Sequence, residues 1–180
     1  MTLRKLHFKK LLFTVVLFVM LFVFCWSAAS GVLTKLTAWQ INSVSNLPVA
    51  LLAYDHEVNA SSYTVLPMFG GTAYTRGTGD EVLEFHVSPW PDLSDKDMRV
   101  TYIFCTDQEY SVFGFSPGDN AIKGMLILTA LRFIPTEMDS GEARFEKWGI
   151  TVTLDWNPDT YRIYGIRIHA CAANENGILF

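Results

Sequence analysis

Residues 147–171 read KWGITVTLDWNPDTYRIYGIRIHAC. Trp148, Ile150, Val152, Leu154 and Trp156 alternate with Thr151, Thr153 and Asp155, and a period of two sets successive side chains on opposite faces of a strand. Asn157-Pro158-Asp159-Thr160 interrupts the pattern, and a second alternating run follows over 161–171. Two such runs about a turn of Asn, Pro and Asp predict an antiparallel hairpin.

Upstream, runs rich in Val, Ile, Tyr, Phe and Thr at 49–54, 62–69, 81–88, 98–105 and 110–115 predict further strands. Gly70-Gly71, Gly77-Thr78-Gly79-Asp80, Pro89-Trp90-Pro91-Asp92 and Ser116-Pro117-Gly118-Asp119-Asn120 separate them. The segment 121–134 fits two templates. Ile122, Met125, Leu126, Ala130 and Phe133 make a helix face behind an Asn120 cap, while Met125, Ile127, Leu131 and Phe133 alternate. It reads as a strand over 124–134, because Gly124 weakens a helix and nearly every side chain is apolar. Eight short runs predict a mainly β domain, an antiparallel β-sandwich or a compact β-barrel-like ectodomain. Several runs have six to eight residues, short of the roughly 9 to 11 that a membrane-spanning strand needs.

In front of the strands stands a different kind of sequence. No charged residue lies between Lys10 and Lys35, and Leu11 to Trp26 is almost wholly Leu, Phe, Val and Met. Those 24 uncharged residues span roughly 36 Å as a helix, against a hydrocarbon core of about 30 Å. Arg4, Lys5, Lys9 and Lys10 precede the run, whereas all 18 carboxylates follow residue 50, which keeps the basic end cytoplasmic. The predicted organisation is a cytoplasmic basic tail over 1–10, a transmembrane signal-anchor over 11–33, a stalk over 34–47 and an extracytoplasmic β-rich domain over 48–180. The small residues Ser27 and Ala29 allow a second fate, a signal peptide cleaved near residue 29. The run is long for that. Val32 to Val44 has a loose helical spacing that prolongs the membrane helix until Asn46 and Pro48 break it.

Ten basic and 18 acidic residues follow Gly31, a net charge of −8. Such a domain is unsuited to nucleic acid, whose phosphates require basic surfaces, and is compatible with a basic protein partner. Cys105 and Cys171 are the two thiols beyond the apolar run. In an oxidising compartment they predict one disulfide, closing a loop of about 67 residues worth roughly 4 kcal/mol in chain entropy.

Gly114-Phe115-Ser116-Pro117-Gly118 has the letters of a serine nucleophile elbow, but Pro117 has no N–H to offer an oxyanion, so the segment reads as a turn. Glu84 and His86 share one face of a strand and are candidates for half a metal site, with His56, Asp55 or His169 as further ligands. The same pattern, with Leu83, Phe85 and Val87 apolar, also describes a solvated strand face. Asp92, Asp95 and Asp97 lack the spacing and glycine of a calcium loop. Gly77-x-Gly79 lacks the remainder of a phosphate-binding loop, and no cofactor motif is present. The expected function is a membrane-anchored extracytoplasmic, non-enzymatic interaction or structural module that meets a protein partner at or beyond the membrane. Tyr74, Trp90, Tyr110 and Phe180 are its first contact candidates. The alternatives are a metal-assisted extracytoplasmic hydrolase using Glu84 and His86, and a secreted binding protein left by signal cleavage.

Overall fold

A computed structural model describes residues 3–69, 71–79, 81–89 and 98–171. Within those ranges side chains are described for residues 14–21 and from residue 31 onward. The chain is mainly β. Helix α1 (Leu3–Val44) is followed by strands β1 (Thr64–Met68), β2 (Gly71–Thr78), β3 (Glu81–Pro89) and β4 (Met98–Cys105). Helix α2 (Ala121–Ala130) then leads to β5 (Ile134–Asp139), β6 (Glu142–Lys147), β7 (Ile150–Trp156) and β8 (Ile163–Ala170).

All eight strands form one antiparallel sheet in the order β1-β2-β3-β4-β8-β7-β6-β5. Two four-stranded meanders are thus joined through their last strands, β4 and β8, in the register Tyr102 opposite His169 and Cys105 opposite Ile166. The hairpin expected over 147–171 is β7–β8, with Val152 opposite Ile168 and Leu154 opposite Ile166. The sheet is open, with β1 and β5 as its edges, and this corrects the sandwich or barrel expectation. Helices and irregular segments do the work of a second sheet. One face, carrying Leu83, Phe85, Ile103, Phe145, Val152, Leu154, Ile166 and Ile168, is buried beneath the end of α1, the segments around Leu51 and Phe115, and α2.

The segment 121–134 is the second correction, since 121–130 is helical. Asn120 caps it, its Oδ1 accepting from the Ile122 N–H at 2.9 Å. Gly124, which argued against helix, is there for contact: a Cβ at that position would meet Leu154 Cδ1 at 3.0 Å. The missing side chain lets α2 lie close on the sheet. Residues 49–54 and 110–115 form isolated bridges rather than strands. β2, β5 and β6 are strands beyond those expected from alternation, because Gly71, Gly77, Pro135 and many charged residues dilute their strand signal.

The expected stalk over 34–47 is largely the end of α1, and it belongs to the core. Thr34, Thr37, Ala38 and Ile41 are buried, at the i, i+3, i+4, i+7 spacing of one helix face. Thr34, Thr37 and Ala38 let the helix lie close while Ile41 fills the core, and Leu36, Trp39 and Val44 are exposed. Asn42 fixes the break that follows: its amide donates to Leu51 O at 3.0 Å and accepts from Leu51 N at 2.8 Å. Much of the apolar run, 11–13 and 22–30, lies outside the described side chains. Among the described residues no helix is long and apolar enough to cross a membrane. Val15 to Leu21 are all exposed along α1.

Candidate functional site: the uncovered face of the sheet

Alternation that buries one set of side chains leaves the other set on a face that, among the described residues, no element covers. On β3 these are Glu84 and His86, on β4 Tyr102 and Phe104, and on β8 Arg167 and His169 followed by Cys171. Thr151, Thr153 and Asp155 of β7 and Glu142, Arg144 and Glu146 of β6 complete the row, as the strand registers require.

Two clusters organise this surface. In the first, the Tyr102 ring stacks on His86 at 4.5 Å between centroids and meets His169 edge-on at 6.2 Å. His86 Nε2 contacts Glu84 Oε1, and Cys171 Sγ lies 3.2 Å from His169 Nδ1. Burial, and then the neighbouring His86, holds the His169 imidazole below its ordinary pKa. Burial followed by the charge of Glu146 raises the Cys171 thiol. Both shifts favour a neutral thiol beside a neutral imidazole, the opposite of the thiolate that a cysteine nucleophile requires.

In the second cluster Arg167 Nε donates to Asp155 Oδ2 at 2.9 Å, and Arg167 Nη2 donates to Asp155 Oδ1 and to Glu142 Oε2, the latter at 2.7 Å. Arg144 extends the row through Glu137 at 2.9 Å and Glu142 at 3.4 Å. Hydrogen bonding to Asp155 and Glu142 raises the Arg167 pKa against the effect of its partial burial. Gly165 makes the arrangement possible. A Cβ there would come within 2.9 Å of the Phe104 ring and 3.3 Å of Asp155 Oδ2. Two shallow depressions of about 340 and 330 Å³ flank Tyr102 and His169. One is lined by Thr72, Ser88 and Thr101, the other by Arg144, Thr151, Thr153 and Arg167.

Several sequence candidates find their places here. Glu84 and His86 do share one face, with Leu83, Phe85 and Val87 buried behind them. The nearest further histidine, His169, stands across the Tyr102 ring. Asp55 accepts from Tyr74 on the covered side of the sheet and His56 stacks on Tyr54, so neither reaches Glu84. Among the described residues no three His, Cys, Asp or Glu side chains converge to hold a metal.

No disulfide joins Cys105 and Cys171, which corrects that expectation. Cys105 pairs with Ile166 and shares its buried face, whereas Cys171 lies five residues further along and on the other face, roughly 16 Å away. Two Cα atoms more than about 7 Å apart cannot be bridged. Tyr74 and Tyr110 are buried, so they are not contact residues, and Trp90, Phe180 and the Asp92–Asp97 turn lie outside the described residues. Ser116 sits in a turn closed by Asp119, whose N–H donates to Ser116 O while its carboxylate accepts from Ser116 N. Tyr102, Arg167 and Asp155 were legible only as alternate members of strands, since their convergence depends on the β4–β8 pairing of residues 61 or more positions apart.

No protein-family model matches the chain, and no curated protein matches it. Among solved structures it is similar to an extracellular protein containing an SCP domain from Bacillus anthracis strain Ames. That protein is 9% identical, with a TM-score of 0.49 over 70% of this chain and 45% of the other. The chain therefore spans less than half of that protein's length, and a likeness this slight transfers neither fold nor activity. The class defined by the fold itself is a mainly β domain: one open eight-stranded antiparallel sheet, covered on one face and polar on the other.

Proposed function

We propose that the protein is a membrane-anchored, extracytoplasmic, non-enzymatic binding module. Residues 1–10 are its cytoplasmic tail, 11–33 cross the bilayer, and the chain from Thr34 onward is one domain whose uncovered sheet face receives a protein partner. The observation that carries this reading is the face itself, broad and polar, with His86, Tyr102, His169 and Arg167 held in place by one another and by Glu84, Asp155 and Glu142. Fixed aromatic and arginine side chains are the residue types that anchor protein interfaces. The strand edges are poorer docking sites. β1 contains Pro67, and β5 contains Pro135 beside a bulge, both of which blunt strand addition.

Site-specific photo-crosslinking in the source cells tests the reading. A photoreactive residue at Thr151 or Glu84 is expected to give one discrete adduct that is weakened by Arg144→Glu. The same group at Leu126, exposed on α2, is expected to give none. Adducts from Leu126 alone would move the interface to the helical side and overturn the assignment.

A further inference from the structure

We propose that the β6–β7 turn and the groove beside it rest on the bilayer surface from which α1 emerges, so that the domain sits on the membrane in one orientation. This rests on the reading of 11–33 as a membrane anchor. α1 runs without a break from that segment to Val44, which leaves no hinge between bilayer and domain. The helix is tied directly to the turn: Thr34 Oγ1 donates to Trp148 O at 2.7 Å and Lys147 Nζ to Gln40 Oε1 at 2.9 Å. Gly149 is close enough that a Cβ there would meet Thr34 Oγ1 at 3.2 Å.

Helix rise then sets the depth. About 20 residues from Leu11 fill a hydrocarbon core of roughly 30 Å, and the polar layer beyond it, about 5 to 7 Å thick, takes about four more. That count ends at Thr34, which puts Trp148 at headgroup level, where tryptophan concentrates.

The local surface suits that position. Trp148 is 48% exposed and Ile134 67%, and with Arg132 and Lys147 they line an open groove of about 420 Å³ that also includes Glu146. Val32 and Leu36 are exposed on the adjoining turns of α1. Trp148 occupies a left-handed conformation, φ 48°, which is unfavourable for a bulky side chain, and about half of the residue stays exposed. The opposite ends of the same strands, roughly 23 Å away along β7, carry exposed Asp139, Ser140, Asn157 and Asp159. Trp148 and Ile134 are thus exposed at the end of the sheet to which Thr34 is tied, and acidic side chains are exposed at the far end, beside Met138 and Tyr161.

The test uses the full chain in phosphatidylcholine vesicles, with Cys25→Ala and Cys171→Ser to clear competing thiols and the buried Cys105 retained. Nitroxide labels are attached through Ile134→Cys, Ser140→Cys and Phe18→Cys, all at exposed positions, and collisions with oxygen and with a water-soluble nickel chelate are measured by power saturation. At position 134 the oxygen-to-nickel ratio is expected to be several-fold higher than at position 140. Equal ratios at the two, with position 18 shielded from nickel, would overturn the seating while leaving the anchor intact. Low collision rates for both reagents at 134 would mean that protein covers the groove, and would also overturn it. Nickel access at position 18 would remove the anchor and the proposal together.

Discussion

Replacing Arg167 with alanine is expected to cost the domain about 3 kcal/mol. Asp155 is only 6% exposed, and the substitution removes both of its guanidinium hydrogen bonds together with the one to Glu142. Breaking a buried pair from one side costs about 3 to 5 kcal/mol, because an uncompensated charge is left behind. Water already reaches Arg167, whose side chain is 33% exposed, so the low end of that range applies. For a unit of this size the loss corresponds to a fall in Tm of roughly 6 to 12 °C. The assay is urea and thermal unfolding of a chain beginning at Gly31, followed by tryptophan fluorescence and circular dichroism. Adding Asp155→Asn should return part of the loss, because the orphaned charge is then gone, and the double variant should be more stable than the sum of the singles predicts by about 1 to 2 kcal/mol. A cost for Arg167→Ala below about 1 kcal/mol, the range of exposed pairs, would refute the reasoning and mean that Asp155 is solvated without its partner.

A chain shortened to begin at Asn46 should lose cooperative unfolding, whereas one beginning at Gly31 should keep it; heat-denaturation profiles decide, since Ala38 and Ile41 are core residues of α1. Intact mass after alkylation without reduction should show label on Cys171 and none on Cys105, whose thiol burial pushes up to about 12; a mass two hydrogens short with neither thiol labelled would restore the disulfide. The same spectrum should show the full-length chain, and loss of about 29 N-terminal residues would make the domain a secreted one. The depressed His169 pKa means that the folded state binds this proton less readily than the unfolded one. Stability should therefore be fully present above about pH 6.5 and decline as the pH falls below it, modestly because part of the residue is exposed; a Tm series in which His169→Gln retains the whole decline would refute that assignment.

Period-two alternation was enough to place β3, β4, β7 and β8, because a strand with one wet and one dry face writes its geometry into adjacent residues. It likewise paired Glu84 with His86 and set both opposite a buried row. The same local signal could not distinguish a strand from a helix over 121–130, where almost every side chain is apolar and Gly124 acts through contact with Leu154 rather than through propensity. Nor could it place the cysteines. Cys105 and Cys171 satisfy the arithmetic of a disulfide, but the β4–β8 register sends them to opposite faces. Composition and the N-terminal apolar run, local properties both, determined the mainly β class and the expected membrane topology. That the strands make one open sheet, that the end of α1 closes the core, and that Tyr102, His169, Arg167 and Asp155 meet on one face are consequences of pairing between distant segments, and only the tertiary structure decided them.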